Sequence, residues 1–438
     1  MLDILQWDTL DDGARNTALA RPASSTSEQL SRDVAAIVAR VRSEGDAALR
    51  AYAREFDGAA TEILRVPAGE IASAADTLSP EQREALAAAR DNILAFHEAQ
   101  RSESIEVETR PGVVCRRITR PIDAVGLYVP AGSAPLPSTT LMLAVPAAVA
   151  GCPRRVLVTP PRPDGRADPS VLASAALTGI DEIYVVGGAQ AVAALAYGTE
   201  SIASVDKIYG PGNAWVTEAK LQVASDPEGA ACDLPAGPSE VLVIADDTAL
   251  ADCVAADLLS QAEHGSDSQV LLVTVSERMA VQVRDQVGRQ LARLPRSAIA
   301  AGALANSRIL VTRDLQQAVA VSNRYAPEHL ILAVEDAERL MENVTAAGSV
   351  FLGHWTPESL GDYCSGTNHV LPTYGFARAF SGLGVDDFQR RITVQAATPA
   401  GLENIGPTAI TLARLEGLEA HASAVEIRLK ALADRSVA

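Results

Sequence analysis

Short, continuous apolar runs rich in β-branched residues alternate with Ala- and Leu-rich stretches from about residue 123 onward. The runs 124–129, 155–159, 182–186, 207–209, 240–244, 269–273, 308–311, 329–334 and 349–352 predict strands. Most are unbroken rather than alternating, the pattern of parallel strands buried on both faces. Strand–helix alternation over so long a span predicts an α/β chain with two open, doubly wound sheets. The first hundred residues predict helices instead. Segments 27–44 and 80–101 carry apolar residues at helical spacing, and Ser79-Pro80-Glu81 supplies an N-cap, an N1 proline and an acidic first turn. Segments 155–159 and 308–312 read almost alike; duplicated βα units or the small alphabet of buried strands would each produce this. The end of the chain departs from the pattern. Residues 382–391 are turn-rich and polar, and 408–432 predict one long, charged amphipathic helix. Such a tail buries little by itself and is a candidate for packing on a partner subunit.

Composition narrows the classes. The chain has 438 residues, long enough for two or three domains, with ordinary globular apolar and charged fractions of 48% and 21%. Its 55 acidic residues outnumber 37 basic ones, a net charge of −18, and no Lys/Arg block interrupts that balance. A nucleic-acid backbone or an anionic membrane surface is therefore not the expected partner. Segment 124–153 is uncharged and long enough to span a bilayer. Four prolines and the Ser138-Thr139-Thr140 cluster interrupt it, so a buried strand, loop and helix is expected there. The acidic start of the chain lacks the pattern of an export signal. Five scattered cysteines (Cys115, Cys152, Cys232, Cys253, Cys364) without CxxC spacing exclude a zinc ribbon and fit a reducing cytoplasm.

Gly/Pro turns follow several strands: Pro130-Ala-Gly132, Gly187-Gly188-Ala-Gln190, Gly210-Pro-Gly212-Asn213 and Pro235-Ala-Gly-Pro-Ser239. In open α/β sheets ligands sit beyond the strands' carboxyl ends, where backbone N–H groups can meet phosphates. A true GxGxxG is absent, because Trp215 stands where the third glycine belongs. Tight turns and a dinucleotide site both remain open. Of six histidines, His97 reads as a solvated or half-buried helix residue. Gln261 and His264 close a helix expected over 249–264, on one face at i, i+3. Glu328-His329 follows a proline and opens a strand, placing the pair at a sheet edge beside a loop and suiting it to proton transfer. Asp362 and His369 flank a Gly-rich loop over 361–372, and His421 lies on the tail helix. Imidazoles with a carboxylate could hold Zn²⁺, although the spacing matches no standard zinc motif; local hydrogen bonds would equally account for them.

Longer strings carry a resemblance. Gly126-Leu-Tyr-Val-Pro130, Tyr209-Gly-Pro-Gly-Asn213, Asp233-Leu-Pro-Ala-Gly-Pro-Ser-Glu240, Asp257-Leu-Leu-Ser-Gln-Ala-Glu-His264, Tyr325-Ala-Pro-Glu-His-Leu330, Thr356-Pro-Glu-Ser-Leu-Gly-Asp362, Asn368-His-Val-Leu-Pro372 and Glu416-Gly-Leu-Glu-Ala-His421 occur in order over nearly the whole chain. The sequence resembles the histidinol dehydrogenases.

The resemblance implies oxidation of L-histidinol to L-histidine through L-histidinal with two NAD⁺, the last step of histidine biosynthesis. It implies one Zn²⁺ per subunit on Gln261, His264, Asp362 and His421, with the metal orienting the substrate. His329 would be the general base and Glu328 the group that activates water. Ser239, His369 and Glu416 would join the ligands and the acid–base pair in holding substrate, and Tyr128, Gln190 and Asn213 would contact NAD⁺. His354 matches no family position and is expected to be a surface residue. The fold expected is two incomplete Rossmann-like domains with a helical N-terminal region and an extended tail packed on the other subunit of a cytoplasmic homodimer. Its divisions would be an N-terminal segment 1–25, a first domain 26–129 plus 240–381 carrying the metal and catalytic site, a second domain 130–239 carrying the NAD contacts, and a dimerisation tail 382–438. Two other readings stand beside this one. One is a zinc-free aldehyde dehydrogenase using a thiol at Cys115 or Cys152; the other is a nucleotide-binding scaffold without chemistry.

Overall fold

The computed structural model describes residues 2–22, 28–131, 134–234 and 237–437. Ser27, Gly132, Pro235 and Ala236, named in the motifs above, lie outside them. The strands are β1 (Asp3–Gln6), β2 (Ile105–Arg110), β3 (Val113–Pro121), β4 (Ala124–Tyr128), β5 (Arg154–Thr159), β6 (Glu182–Val185), β7 (Lys207–Tyr209), β8 (Ala231–Cys232), β9 (Glu240–Ala245), β10 (Gln269–Thr274), β11 (Arg308–Val311), β12 (His329–Ala333), β13 (Ser349–Leu352) and β14 (Gln389–Ala397). Every apolar run singled out above forms a parallel strand.

The chain divides into two compact units, Met1–Gln100 with Ile122–Phe388, and Arg101–Pro121 with Gln389–Ala438. The first unit holds both parallel sheets. One has six strands in the order β1-β11-β10-β9-β12-β13, and the other has five in the order β6-β5-β4-β7-β8. Burial explains the unbroken apolar runs. Val241, Val243 and Ala245 point to one face, against helices Ala251–Ala262, Glu277–Leu291 and Ser297–Ala305. Leu242 and Ile244 point to the other, against helices Leu315–Tyr325 and Ala337–Met341. Both faces are covered, so polar alternation has no place in these strands. The five-stranded sheet is clothed the same way, by Pro80–Glu98, Pro137–Ala150 and Pro169–Leu177 on one side. Glu28–Glu44, Gly188–Tyr197 and Ala214–Ser225 cover the other. Segment 124–153 thus holds β4 and the buried helix Pro137–Ala150. No helix among the described residues is long and apolar enough to cross a membrane.

Several expectations change. The first hundred residues are not wholly helical, because β1 joins the edge of the six-stranded sheet beside β11. β4, on the N-terminal side of the expected 129/130 division, lies in the middle of the five-stranded sheet. His97 is fully buried, with Nδ1 2.8 Å from the Ile93 carbonyl oxygen. In the second unit, β14, β3 and β2 form an antiparallel sheet in that order. The single helix expected over 408–432 is a pair, Pro399–Leu415 and Glu419–Val437. Gly417, at φ +74°, takes the left-handed conformation that separates them. The pair packs closely: a Cβ at Gly406 would stand 3.0 Å from a Val425 methyl carbon.

Candidate active site

The reaction residues expected at Glu328 and His329 are gripped by one backbone. Glu240 opens β9 and His329 opens β12, which is an interior strand beside β9 and not a sheet edge. The Glu240 N–H donates to Glu328 Oε2 at 2.8 Å, and its carbonyl oxygen stands 3.1 Å from His329 Nδ1. That contact assigns the proton to Nδ1 and leaves Nε2 as the basic nitrogen. Nε2 lies 3.3 Å from Asp362 Oδ1, without a hydrogen-bond partner among the described residues. Burial pushes the Glu328 carboxyl up to about 8. Burial alone would depress His329, but the Glu328 and Asp362 carboxylates outweigh it and raise the imidazole to about 10, so Nε2 is free to accept a proton only where a cation on Asp362 offsets that pull.

The Glu240 side chain is pinned in turn. Arg21 meets both of its carboxylate oxygens, Nη2 to Oε2 at 2.9 Å, and donates to the Tyr325 and Ala326 carbonyls at 2.9 and 3.3 Å. The guanidinium carbon stacks 3.9 Å from the Tyr325 ring centroid. Ala326, just ahead of Pro327-Glu328, holds a left-handed φ of +54°, a strained conformation kept where surroundings over-determine it. Neither Arg21 nor the Glu240 carboxylate was singled out from sequence.

Asp362 lies on the short helix Glu358–Tyr363, not in a loop as expected. Burial opposes its charge, but His329, His369 and His264 win and depress its carboxyl. His369 Nδ1 sits 2.8 Å from the Asp362 carbonyl oxygen and its Nε2 3.2 Å from Thr139 Oγ1. Gln261 is the last but one residue of helix Ala251–Ala262, and His264 follows three residues later in the turn closed by His264 N–H to the Gln261 carbonyl at 3.3 Å. Gln261 is fully buried, yet neither Oε1 nor Nε2 has a hydrogen-bond partner among the described residues. His264 faces the cavity described next; loss of water lowers its pKa, and Asp362 partly offsets this.

The NAD residues expected at Tyr128, Gln190 and Asn213 come together. All three line one cavity of about 1350 Å³, which His264 and Tyr363 also line. Tyr128 ends β4, and burial pushes its phenol up to about 12, so it stays protonated. Its hydroxyl oxygen accepts from the Gly188 N–H at 3.1 Å, and Gln190 lies buried at the start of helix Gly188–Tyr197. Asn213 caps helix Ala214–Ser225, Oδ1 accepting from Trp215 and Val216 N–H at 3.1 Å each. Ser239 is half-buried immediately before β9.

Glu416 and His421 are exposed residues of the second unit. The first unit therefore gathers Gln261, His264 and Asp362 of the expected metal ligands. No group of three His, Cys, Asp or Glu side chains poised for a metal occurs among the described residues. The donor chemistry nevertheless fits Zn²⁺: an imidazole, a carboxylate and an amide whose buried atoms lack partners among the described residues. The two cysteines weighed as nucleophiles stand elsewhere. Cys152 is buried in the hydrophobic core, and Cys115 lies in β3 of the second unit. His354 is half-buried, with Nε2 3.1 Å from Thr248 Oγ1.

Open parallel sheets, a deep cavity edged by glycine turns and an adjoining buried acid–base cluster define an α/β enzyme. The family model for histidinol dehydrogenase matches residues 19–429. The histidinol dehydrogenase of Xanthomonas euvesicatoria pv. vesicatoria is 57% identical over 428 residues, covering 98% of this chain and 99% of that one. That of Vibrio parahaemolyticus is 55% identical over 426 residues, covering 97% and 98%. The crystal structure of histidinol dehydrogenase from Elizabethkingia anophelis superposes with a TM-score of 0.94 at 46% identity, covering 98% of each chain. The chain belongs to the histidinol dehydrogenase family, and is an NAD-dependent oxidoreductase.

The Arg21–Glu240 pair yields a stability test. Arg21→Met should cost about 3–5 kcal/mol, because it strands a buried carboxylate. Adding Glu240→Leu should recover at least half of that loss, since the uncompensated charge is then gone. Urea unfolding of the two variants checks this; an Arg21→Met protein as stable as wild type would show that the pair holds nothing.

Proposed function

We propose that the chain carries out the zinc-dependent, four-electron oxidation of L-histidinol to L-histidine through L-histidinal, using two NAD⁺. The observation that carries this reading is the buried row Glu328, His329, Asp362 and His369 beside the cavity lined by Tyr128, Gln190 and Asn213. Bound Zn²⁺, on Gln261, His264, Asp362 and His421 from a partner subunit, supplies a charge that fixes the substrate's orientation, and bound NAD⁺ supplies the hydride acceptor.

In the first oxidation, His329 in its neutral form takes the hydroxyl proton of the alcohol at Nε2, and bound NAD⁺ would supply the acceptor for the hydride of the alcohol carbon. The His329 Nδ1–H stays on the Glu240 carbonyl, so the ring need not turn. The aldehyde then adds water, whose proton passes to Glu328, and a second hydride leaves the hydrate to give the acid. Ser239, His369 and Glu416 hold the substrate. Thr139, on His369 Nε2, keeps that imidazole in place.

A homodimer with shared sites fits the second unit, where Leu412, Leu415 and Ile427 expose 54%, 82% and 68% of their surface. Patches of this kind are normally buried against a partner. Free cysteines and the acidic charge balance fit a cytoplasmic enzyme without a nucleic-acid or membrane partner.

NADH formed from histidinol tests the activity directly: chelation should abolish it and added Zn²⁺ restore it. Undiminished turnover by metal-free protein would overturn the metal's role. The half-reactions should separate the acid–base pair. His329→Gln should slow histidinol oxidation by about 10²–10⁴-fold, whereas Glu328→Gln should fall mainly on histidinal oxidation, where water is the nucleophile. Equal losses in both steps for both variants would remove the division of labour.

Shared sites predict complementation. Co-refolding His264→Asn with His421→Gln should recover about a quarter of wild-type activity, because half of random dimers are mixed and each mixed dimer has one intact site. If His421 served its own chain, every site would keep a lesion and no activity would return.

A further inference from the structure

One half-buried carboxylate on the cavity wall takes no part in the scheme above. Asp57 follows helix Asp46–Phe56, whose Leu49 and Tyr52 pack in the same core cluster as Tyr128. It lines the cavity together with Phe56 and Tyr128. Its Oδ2 is buried and has no hydrogen-bond partner among the described residues. Burial alone raises its carboxyl to about 6, with no cation lowering it. At neutral pH it is an anion in want of donors.

The cavity has two kinds of wall. His264, Tyr363 and Arg296 come from the six-stranded sheet's side, where the reaction residues lie, and Phe56, Asp57 and Tyr128 come from the five-stranded sheet's side. Hydride transfer requires the nicotinamide to lie near the reaction residues, so the adenosine half faces Asp57. Two partly exposed aromatic rings on that side, Phe56 at 53% and Trp215 at 40%, offer faces on which a base can stack. The hydrogen-bond donors an adenosine presents there are its ribose hydroxyls and one exocyclic amine. A phosphate presents none and brings like charge. Among the described lining residues Arg296 is the only Lys or Arg, and it stands on the reaction side.

We propose that Asp57 accepts hydrogen bonds from the adenosine ribose hydroxyls of NAD⁺ and thereby excludes the 2′-phosphorylated cofactor. The assignment rests on the cavity being the NAD⁺ site. It makes Asp57 a specificity determinant that no glycine fingerprint in this sequence marks.

The test compares NAD⁺, NADP⁺ and 2′-deoxy-NAD⁺ as cofactors for histidinol oxidation by the full-length enzyme. Wild type should lose about tenfold or more in kcat/KM when the 2′-hydroxyl is removed, the weight of a hydrogen bond to a charged acceptor. Asp57→Asn should raise the KM for NAD⁺ more than it lowers kcat, and should cut the preference for NAD⁺ over NADP⁺ at least tenfold. The deoxy analogue should be hardly worse than NAD⁺ for that variant, and Asp57→Glu should keep the preference. A merely structural role would weaken all three cofactors alike, and that result overturns the proposal. Titration of the tryptophan emission with NAD⁺, repeated in Gln190→Ala and Asn213→Ala, separates the two readings. If NAD⁺ saturates the protein and both substitutions weaken it while Asp57→Asn leaves discrimination unchanged, the Asp57 assignment alone falls. If neither substitution affects binding, the cavity assignment falls, and this proposal with it.

Discussion

The reaction end of this molecule depends on one buried ion pair, Arg21 with Glu240. Removing two charges from water is costly, and such a pair is weak evidence for stability. Its effect here is positional. Arg21 fixes the side chain of the first residue of β9, and that residue's own N–H and C=O fix Glu328 and His329. The same guanidinium holds the carbonyls of Tyr325 and Ala326, the turn that delivers Pro327 and Glu328 to the site. Both ends of the acid–base dipeptide are therefore referred to a single side chain from the start of the chain. The placement of a proton on His329 Nδ1 follows from that arrangement.

The two parallel sheets use opposite ends. On the five-stranded sheet, the cavity meets the carboxyl ends of β4, β6 and β7, at Tyr128, Gly188 to Gln190 and Asn213. This is where doubly wound sheets ordinarily bind ligands. On the six-stranded sheet the chemistry sits at the amino ends, where Glu240 and His329 open their strands. A strand's first residue has backbone groups that the ladder has not fully used, and those of Glu240 hold the side chains of Glu328 and His329. Joining the two edges places the cavity on one sheet and the buried Glu328–His329–Asp362 cluster on the other. Neither need distort its own core.

The sequence was most legible where burial was complete. Unbroken apolar runs such as Glu240–Ala245 become strands covered on both faces, and each was readable. β2, β3 and β14 escaped because they are antiparallel and largely exposed, so charged residues such as Arg116, Arg117, Arg390 and Arg391 fill them and no apolar run appears. β1 is too short to show a period. The tail read as one helix because a lone Gly417 among charged residues gives little sign that the backbone turns left-handed there. Metal donors escaped spacing rules for a chemical reason: an amide is an unusual ligand, and only the family strings pointed to Gln261. Arg21 and Glu240 were out of reach altogether, since they stand 219 residues apart and no local pattern joins them.

What sequence could not show, unsatisfied polar atoms do. Leaving a buried donor or acceptor without a partner costs roughly 1–3 kcal/mol, so native proteins keep few of them. Here several gather in one neighbourhood. Both amide atoms of Gln261, Nε2 of His329 and one oxygen of Glu358 are buried without hydrogen-bond partners among the described residues. Glu358 and Asp362 are spaced i, i+4 on one short helix, which puts them on the same face, and Glu358 Oε1 accepts from Ser260 Oγ at 2.6 Å, next to Gln261 in the chain. A core assembled for stability alone would have replaced this set with hydrocarbon. Such a cluster suits a bound species that offers both positive charge and hydrogen-bonding groups, and the metal-held amino alcohol of the proposed reaction would offer both.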